Sequence, residues 1–248
     1  RIPWLLHNIS DDRQACYALS DHIYNKARLS RIAIIRVDNR YGRVGTKEFK
    51  EASQRLGHPF ILEVRFNNGD TDFTSQINRI KKVNPDGILI WGNPEESAHV
   101  VNQIREMGFD VPLFASDRTV SPVFTEIAGE NAEGLVTTCQ YNPNSTDPKY
   151  LAFKKRYKER FGMEADVFAA HAYDGMNIII EAIQKAGLNR YLIRDFLTDM
   201  KTFQGYEGVT GKLIMDAAYN DVGKIYMARL KDGKFEFYPS PLKVPEID

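Results

Sequence analysis

The chain has 248 residues, of which 43% are hydrophobic and 27% are charged. This composition is typical of a globular protein and argues against a disordered chain. Lys and Arg total 33, as do Asp and Glu, so the formal net charge is zero and nothing in the charge favours nucleic acid or an anionic membrane as a partner. No apolar run approaches the roughly 20 residues that span a bilayer.

The first part of the chain alternates helical and strand patterns. Short β-branched runs indicate strands, whereas apolar residues at helical spacing between capping residues indicate helices. In chain order we predict a helix over about 10–27, a strand over 31–37, a helix over 42–56, a strand over 60–66, a helix over 72–84, a strand over 87–91, a helix over 95–107, a strand over 112–115, a helix over 122–128 and a strand over 134–138. This alternation predicts an α/β fold, a doubly wound parallel sheet with helices on both faces.

After residues 141–148 the pattern changes to helices without intervening strands. We predict helices over 149–161, 167–186 and 190–200. The second is apolar nearly all round, so we expect it to be covered on most sides. Three strands follow over 212–215, 224–230 and 235–238, and the last two form a hairpin around Asp232-Gly233.

Sequence motifs for catalysis or metal binding are absent. The chain has no G-x-S-x-G, G-x-x-x-x-G-K, G-x-G-x-x-G, H-E-x-x-H or C-x-x-C pattern. Its five histidines fall on separate elements, and Cys16 and Cys139 are far apart, which favours buried thiols. We therefore predict no enzyme activity, no cofactor and no metal. The basic and aromatic run over 153–161 is interpreted as a solvated helix face, with no nucleic-acid partner.

Polar and aromatic side chains mark the carboxyl ends of three predicted strands. Tyr41 follows the first strand, Trp91 and Asn93 stand at the end of the third, and Asp117 follows the fourth. Open α/β sheets bind ligands at this edge. Asp117 could pair with a ligand ammonium, and Tyr41 could lie along an apolar group or donate its hydroxyl. Each also has a structural interpretation: Tyr41 in the turn, Asp117 as a helix cap near 121–122, and Trp91 as core.

The order of several motifs resembles the type I periplasmic binding proteins, specifically the branched-chain (hydrophobic) amino-acid-binding family of ABC transporters. The resemblance extends over nearly the whole chain and depends on order and spacing, because none of the motifs is specific alone. They are Asp38-Asn39-Arg40-Tyr41-Gly42, Gly69-Asp70-Thr71-Asp72-Phe73, the run over 127–134, Ala172-Tyr173-Asp174, the run over 205–211, and Lys231-Asp232-Gly233-Lys234-Phe235.

The resemblance implies two α/β lobes that close on a ligand. By position, Tyr41, Asn93 and Asp117 would contact an amino acid from the second lobe, with Asp117 at the α-ammonium; Asn93 stands where some members have tyrosine. We expect residues 1–143 and 212–248 to form that lobe and its closing strands, and 144–211 to be the helical remainder of the first. The early strands of a first lobe are not found, which predicts a fragment with impaired high-affinity capture.

The expected function is that of the solute-binding component of an ABC importer. Such a protein is periplasmic, or extracellular and tethered to the membrane, and it delivers an amino acid or similar small ligand to a membrane permease. The apolar helix over 167–186 would normally pack against the absent sheet, so we expect self-association or recruitment of a complementary fragment. One alternative is a sensory or regulatory ligand-binding domain for an amide or aromatic acid on the same scaffold. Another is an enzyme that uses Asp38 or Asp117 as an acid or base.

Overall fold

The computed structural model describes residues 4–199 and 205–242. Its helices, in chain order, are α1 (Asp12–Asp21), α2 (Arg40–Arg55), α3 (Thr74–Lys82), α4 (Pro94–Glu106), α5 (Pro122–Ala128), α6 (Pro148–Phe161), α7 (Val167–Ala186) and α8 (Arg190–Thr198). Its strands are β1 (His7–Ser10), β2 (Ile32–Val37), β3 (Leu62–Phe66), β4 (Gly87–Trp91), β5 (Leu113–Ala115), β6 (Val136–Cys139), β7 (Tyr206–Glu207), β8 (Lys212–Leu213), β9 (Asn220–Asp221), β10 (Tyr226–Lys231) and β11 (Lys234–Pro239).

Two compact units make up the described chain. The sheet unit consists of residues 12–139 and 226–242, and the helical unit consists of the described residues of 1–11 and 140–225. Residues 4–11, 140–143 and 212–225, predicted to belong with the sheet, are therefore part of the helical unit. Residues 1–3 and 243–248 of the predicted second lobe lie outside the described residues. The assignment of the two units to the lobes of a binding protein stays a prediction.

The sheet unit is built on one mixed sheet, which contains seven strands within the described residues. Their order across the sheet is β11-β10-β6-β5-β4-β2-β3. The strands from β3 to β6 are mutually parallel, whereas β10 runs antiparallel to β6 and pairs with β11 as a hairpin. Chain order reverses between β2 and β4, which makes that point the topological switch where such sheets bind ligands. The predicted α/β doubly wound fold is confirmed.

Helices cover both faces of this sheet. On one face, alternate side chains of β2, among them Ala33 and Ile35, form an apolar cluster with α3, α4 and α5. Full burial of a side chain such as isoleucine contributes roughly 1.5–3 kcal/mol. On the other face, α2 approaches β4 so closely that a Cβ on Gly45 would stand 2.0 Å from Cε2 of Trp91. Cys16 and Cys139 are both buried, as predicted.

Several element boundaries differ from those predicted. The first helix ends as an α-helix at Asp21 and continues as a π-helical turn over His22–Lys26. Strands β1, β7 and β9 were not predicted, because each has only two to four residues and so shows no readable alternation. The last strands and their turn were predicted correctly: Asp232 and Gly233 both have positive φ, 49° and 73°, as a tight hairpin turn requires.

The long helix α7 presents two different faces. Ala170, Asp174, Ile178 and Ala182 recur at helical spacing and are buried, and the last two join an apolar cluster with α8 and β8. Other large apolar side chains of the helix are exposed, among them Phe168 (63%), Met176 (58%), Ile179 (45%) and Ile180 (43%). The expectation that this helix is covered on most sides is therefore wrong for the described residues. The predicted end of α8 at Met200 lies outside them.

A buried carboxylate ties α7 to the turn before β8. Asp174 is 2% exposed and accepts hydrogen bonds from the Val209 N–H (2.8 Å), the Thr210 N–H (2.9 Å) and the Thr210 hydroxyl (2.6 Å). Gly208 lies against the same group, since a Cβ there would stand 2.3 Å from Oδ2. Two motifs that are 30 residues or more apart in the sequence therefore meet in one contact.

Replacing Asp174 should destabilise the helical unit. Asp174→Ala leaves two amide groups and a hydroxyl without their acceptor, which should lower the free energy of unfolding by about 2–3 kcal/mol. The matched control is Asp195→Ala, since that carboxylate is 55% exposed and pairs with its neighbour Arg194; it should cost less than about 0.5 kcal/mol. Urea unfolding followed by circular dichroism measures both, and equal midpoints for the two variants would contradict this role.

Candidate functional site

The first turn of α2 sets Tyr41 at the carboxyl end of β2. Asn39 caps this helix, its side-chain oxygen accepting from the Gly42 N–H at 3.1 Å. Gly42 lets the helix approach the strand end, because a Cβ there would stand 1.9 Å from the Val37 carbonyl oxygen. The structural interpretation, in which Tyr41 and Gly42 shape this turn, therefore holds for Gly42, whereas the Tyr41 hydroxyl binds Asp117, outside the turn.

Tyr41 and Asp117 form a direct hydrogen bond. The Tyr41 hydroxyl donates to Oδ1 of Asp117 at 2.7 Å. Asp117 begins a single 3-10 turn after β5, and the preceding Ser116 is fully buried. The alternative that Asp117 caps the next helix is not supported, because Ser121 itself accepts the capping hydrogen bond from the Phe124 N–H at 3.2 Å.

Asn93 is connected to Tyr41 and Asp117 through Arg118, a residue that the sequence analysis did not predict for the site. The Arg118 Nη1 donates to Oδ1 of Asn93 at 2.8 Å, and the Arg118 Cζ lies 3.7 Å from the centroid of the Tyr41 ring. Arg118 directly follows Asp117 in the sequence, so its place at a strand end was readable. What the sequence did not indicate is the direction of its side chain.

Trp91 is the fully buried member of this group. Its side chain has no exposed surface, and its ring centroid is 5.8 Å from that of Tyr41 at an interplanar angle of 44°. The core interpretation therefore holds for Trp91, which supports the Tyr41 ring and presents no surface of its own. The structure brings all four predicted residues together, and their role in ligand binding stays a prediction.

Burial keeps the Tyr41 phenol protonated, so that it remains a hydrogen-bond donor. Removal from water, and then the negative charge of Asp117, raise the pKa of Tyr41 well above its usual value. The phenol is therefore protonated throughout the physiological range, and it presents its proton to the carboxylate.

Asp38, the other acid considered for catalysis, belongs to an ion-pair network. Arg36 is buried and donates to Asp38 at 3.0 Å and to Glu63 at 2.7 Å. The Arg36 hydrogen bond, followed by the charges of Arg36, Arg65 and Arg43, lowers the pKa of Asp38. A carboxyl group whose pKa is lowered is a poor proton donor or acceptor near neutral pH, so this position does not favour the enzyme hypothesis.

Within residues 4–199 and 205–242, no group of three or more His, Cys, Asp or Glu side chains is arranged to hold a metal ion. None of the helices in these ranges combines the length and hydropathy needed to cross a bilayer.

The fold is that of a doubly wound α/β protein, and comparison with known families shows which family the chain belongs to. The family model described as periplasmic binding protein matches residues 2–234. The chain therefore belongs to the periplasmic binding protein family.

Individual relatives agree with this assignment. The chain is 23% identical over 232 residues to Leu/Ile/Val-binding protein homolog 2 of Brucella abortus, covering 92% of this chain and 61% of that protein. A leucine-binding protein from Thermotoga maritima has a TM-score of 0.86 at 26% identity, covering 95% of this chain and 68% of that one. An isoleucine complex of a branched-chain amino-acid transporter substrate-binding protein from Streptococcus pneumoniae has a TM-score of 0.78 at 27% identity, covering 92% and 66%.

These comparisons confirm the predicted resemblance to the branched-chain amino-acid branch of the family. The chain spans 61% of the length of the Brucella relative. The amino acids in the names of these relatives are therefore ligands of those longer proteins.

The Tyr41 phenol should contribute a distinct pH dependence to stability. Because its pKa is raised in the folded state, its contribution is complete below the unfolded value near 10 and is lost as the pH rises above it. The free energy of unfolding of the native chain should therefore fall more steeply between about pH 10 and 12 than that of Tyr41→Phe.

Denaturant midpoints across that pH range measure the difference. Tyr191→Phe, which alters an exposed tyrosine of the helical unit, controls for general alkaline destabilisation and should follow the native chain. If Tyr41→Phe also followed the native slope, the phenol would not be held protonated by its surroundings.

Proposed function

We propose that this chain is part of the solute-binding component of an ABC importer, and that its sheet unit holds the ammonium end of an amino acid at Asp117. The observation that carries this proposal is the 2.7 Å hydrogen bond from Tyr41 to Asp117 at the switch point of the sheet. Carboxylates and ammonium groups form short, strong hydrogen bonds. The bond from Tyr41 holds the carboxylate in one orientation before a ligand arrives.

The chemistry of a carboxylate is compatible with both partners. It offers about four lone-pair sites, so it accepts hydrogen bonds from a phenol and from an ammonium together. Because its orientation is fixed beforehand, the carboxylate loses less conformational freedom when a ligand binds. Asn93 and Tyr41 complete the contact surface, and Trp91 acts through the Tyr41 ring.

The sheet unit is proposed to be the second lobe, and the helical unit part of the first. A ligand that contacts both lobes favours the closed form by as much as it binds that form more tightly. Partners for the ligand carboxylate would come from the part of the relatives that this chain does not match, since it spans 61% of one of them. We therefore expect this chain to bind amino acids far more weakly than a complete binding protein does.

No bond is made or broken in the proposed function. The family is one of binding proteins, and the proposed partner is a membrane permease that receives the ligand. The proposed location is the periplasm, or the outer face of the membrane as a tethered protein.

Replacing Asp117 should abolish most amino-acid binding. Asp117→Asn keeps an acceptor for Tyr41 but removes the charge that attracts an ammonium, which should weaken binding at least tenfold, or about 1.4 kcal/mol. Asp110→Asn is the matched control, because that side chain is in the same unit and 99% exposed. Binding of leucine, isoleucine, valine and a wider amino-acid panel is measured by calorimetry at millimolar ligand.

Two results would count against the proposal. Equal affinities of Asp117→Asn and the control variant would remove Asp117 from the site. Submicromolar affinity of this chain for leucine, isoleucine or valine would contradict the expected need for further partners.

We also propose that the exposed face of α7 causes self-association. Phe168, Met176 and Ile180 are all exposed on it, and contiguous apolar surface of this kind marks interaction sites. Sedimentation velocity should show a coefficient that rises with protein concentration, and the double variant Met176→Glu with Ile180→Glu should remain monomeric. Val123→Glu, which alters an exposed apolar residue of α5, should associate like the native chain. A native chain that stays monomeric at high concentration would refute this proposal.

A further inference from the structure

Arg118 is the cation of the strand-end site. It lies half-buried in the 3-10 turn over Asp117–Thr119. Its guanidinium stacks on the Tyr41 ring at 3.7 Å and donates one hydrogen bond to the Asn93 side chain. These contacts hold the planar group in one place, with only one of its five N–H donors used by Asn93.

Stacking changes what Tyr41 offers to a ligand. A guanidinium at 3.7 Å from the ring centroid covers one face of the ring, so that face is closed to an aliphatic side chain. A second ring, that of Trp91, lies 5.8 Å from the Tyr41 centroid. A carboxylate and a guanidinium therefore lie close together at this point of the sheet edge, and the two charges complement a ligand carrying both.

Arg118 differs from the other two arginines of the sheet unit that are not exposed, Arg36 and Arg105, in forming no ion pair with a carboxylate of the described residues. Arg36 pairs with Asp38 and Glu63, and Arg105 pairs with Asp110. Within residues 4–199 and 205–242, no carboxylate forms an ion pair with Arg118. A partly desolvated cation without a counter-charge is costly, and a carboxylate with bidentate geometry offsets that cost.

We propose that Arg118 is a specificity-determining residue that selects amino acids with an anionic group on the side chain. This inference rests on the proposed function, in which Asp117 holds the ammonium. Tyr41 links the two charged groups, since its hydroxyl binds Asp117 and its ring face carries Arg118. The anion and the cation of the site are therefore separated by no more than one tyrosine side chain, a spacing suited to the ammonium and side-chain carboxylate of a small acidic amino acid such as glutamate.

The two tryptophans of the chain provide a local probe. The Trp91 indole lies under the Tyr41 ring, whereas Trp4 belongs to the helical unit and serves as an internal reference. Titrations of the full chain with glutamate and with leucine, each at millimolar concentration, are followed by the indole N–H resonances in ¹⁵N spectra. The two resonances are assigned with Trp4→Phe.

Glutamate should shift the Trp91 resonance with at least tenfold higher affinity than leucine. Arg118→Met keeps the length but removes the charge, so it should lower the ratio of glutamate affinity to leucine affinity at least tenfold. Arg118→Lys keeps the charge but loses the planar guanidinium, so its affinity for glutamate should lie between those of the native chain and Arg118→Met. Arg55→Met, at the far end of α2, controls for loss of a positive charge and should bind like the native chain.

The outcomes separate this inference from the function on which it rests. Leucine binding that exceeds glutamate binding, or a glutamate preference that survives in Arg118→Met, overturns the role of Arg118 and leaves the proposed amino-acid binding intact. If neither ligand shifts the Trp91 resonance, the proposed function fails and this inference fails with it.

Discussion

The hydrogen bond between Tyr41 and Asp117 spans the end of an intervening strand. Tyr41 follows β2 and Asp117 follows β5, and in the sheet β4 lies between these two strands. The bond therefore passes over the end of β4, where Trp91 supports the Tyr41 ring and Asn93 binds Arg118. These side-chain contacts connect three strand ends, in addition to the backbone pairing of β2 with β4 and of β4 with β5. A shift of any one strand would separate the donor from the acceptor.

This arrangement depends on how closely α2 approaches the sheet. Cβ atoms on Gly42 and Gly45 would stand 1.9 Å from the Val37 carbonyl and 2.0 Å from Trp91, distances that no side chain tolerates. The two glycines lie three residues apart, on the side of α2 that faces β2 and β4. The helix is thus lowered onto the sheet over its first two turns, and this lowering brings the phenol within reach of the acid. The position of the site follows from small residues that do not belong to it.

The sequence predicted elements well where local signals define them. β4, α5 and α7 have the predicted bounds, because capping residues, prolines and glycines mark their ends. β1 pairs with β9 more than 200 residues away, and both are short and polar, so only tertiary context makes them strands. Asp117 was identified because strand ends are readable, whereas the burial of Trp91 depends on which face of β4 it occupies. The stack of Arg118 on Tyr41 was missed for a related reason, since side-chain direction in a turn is set by packing.

The helix α7 has one buried face and one exposed apolar face. Asp174, Ile178 and Ala182 form a stripe that the helical unit itself covers, with the carboxylate satisfied by the turn over 208–210. Phe168, Met176 and Ile179 form a second stripe that the described residues leave exposed. These side chains are already about half-buried, so covering the stripe would add stabilisation of the same order as the Asp174 contact supplies. The helix is anchored by its polar residue on one side, and its larger apolar surface remains available for a separate contact on the other.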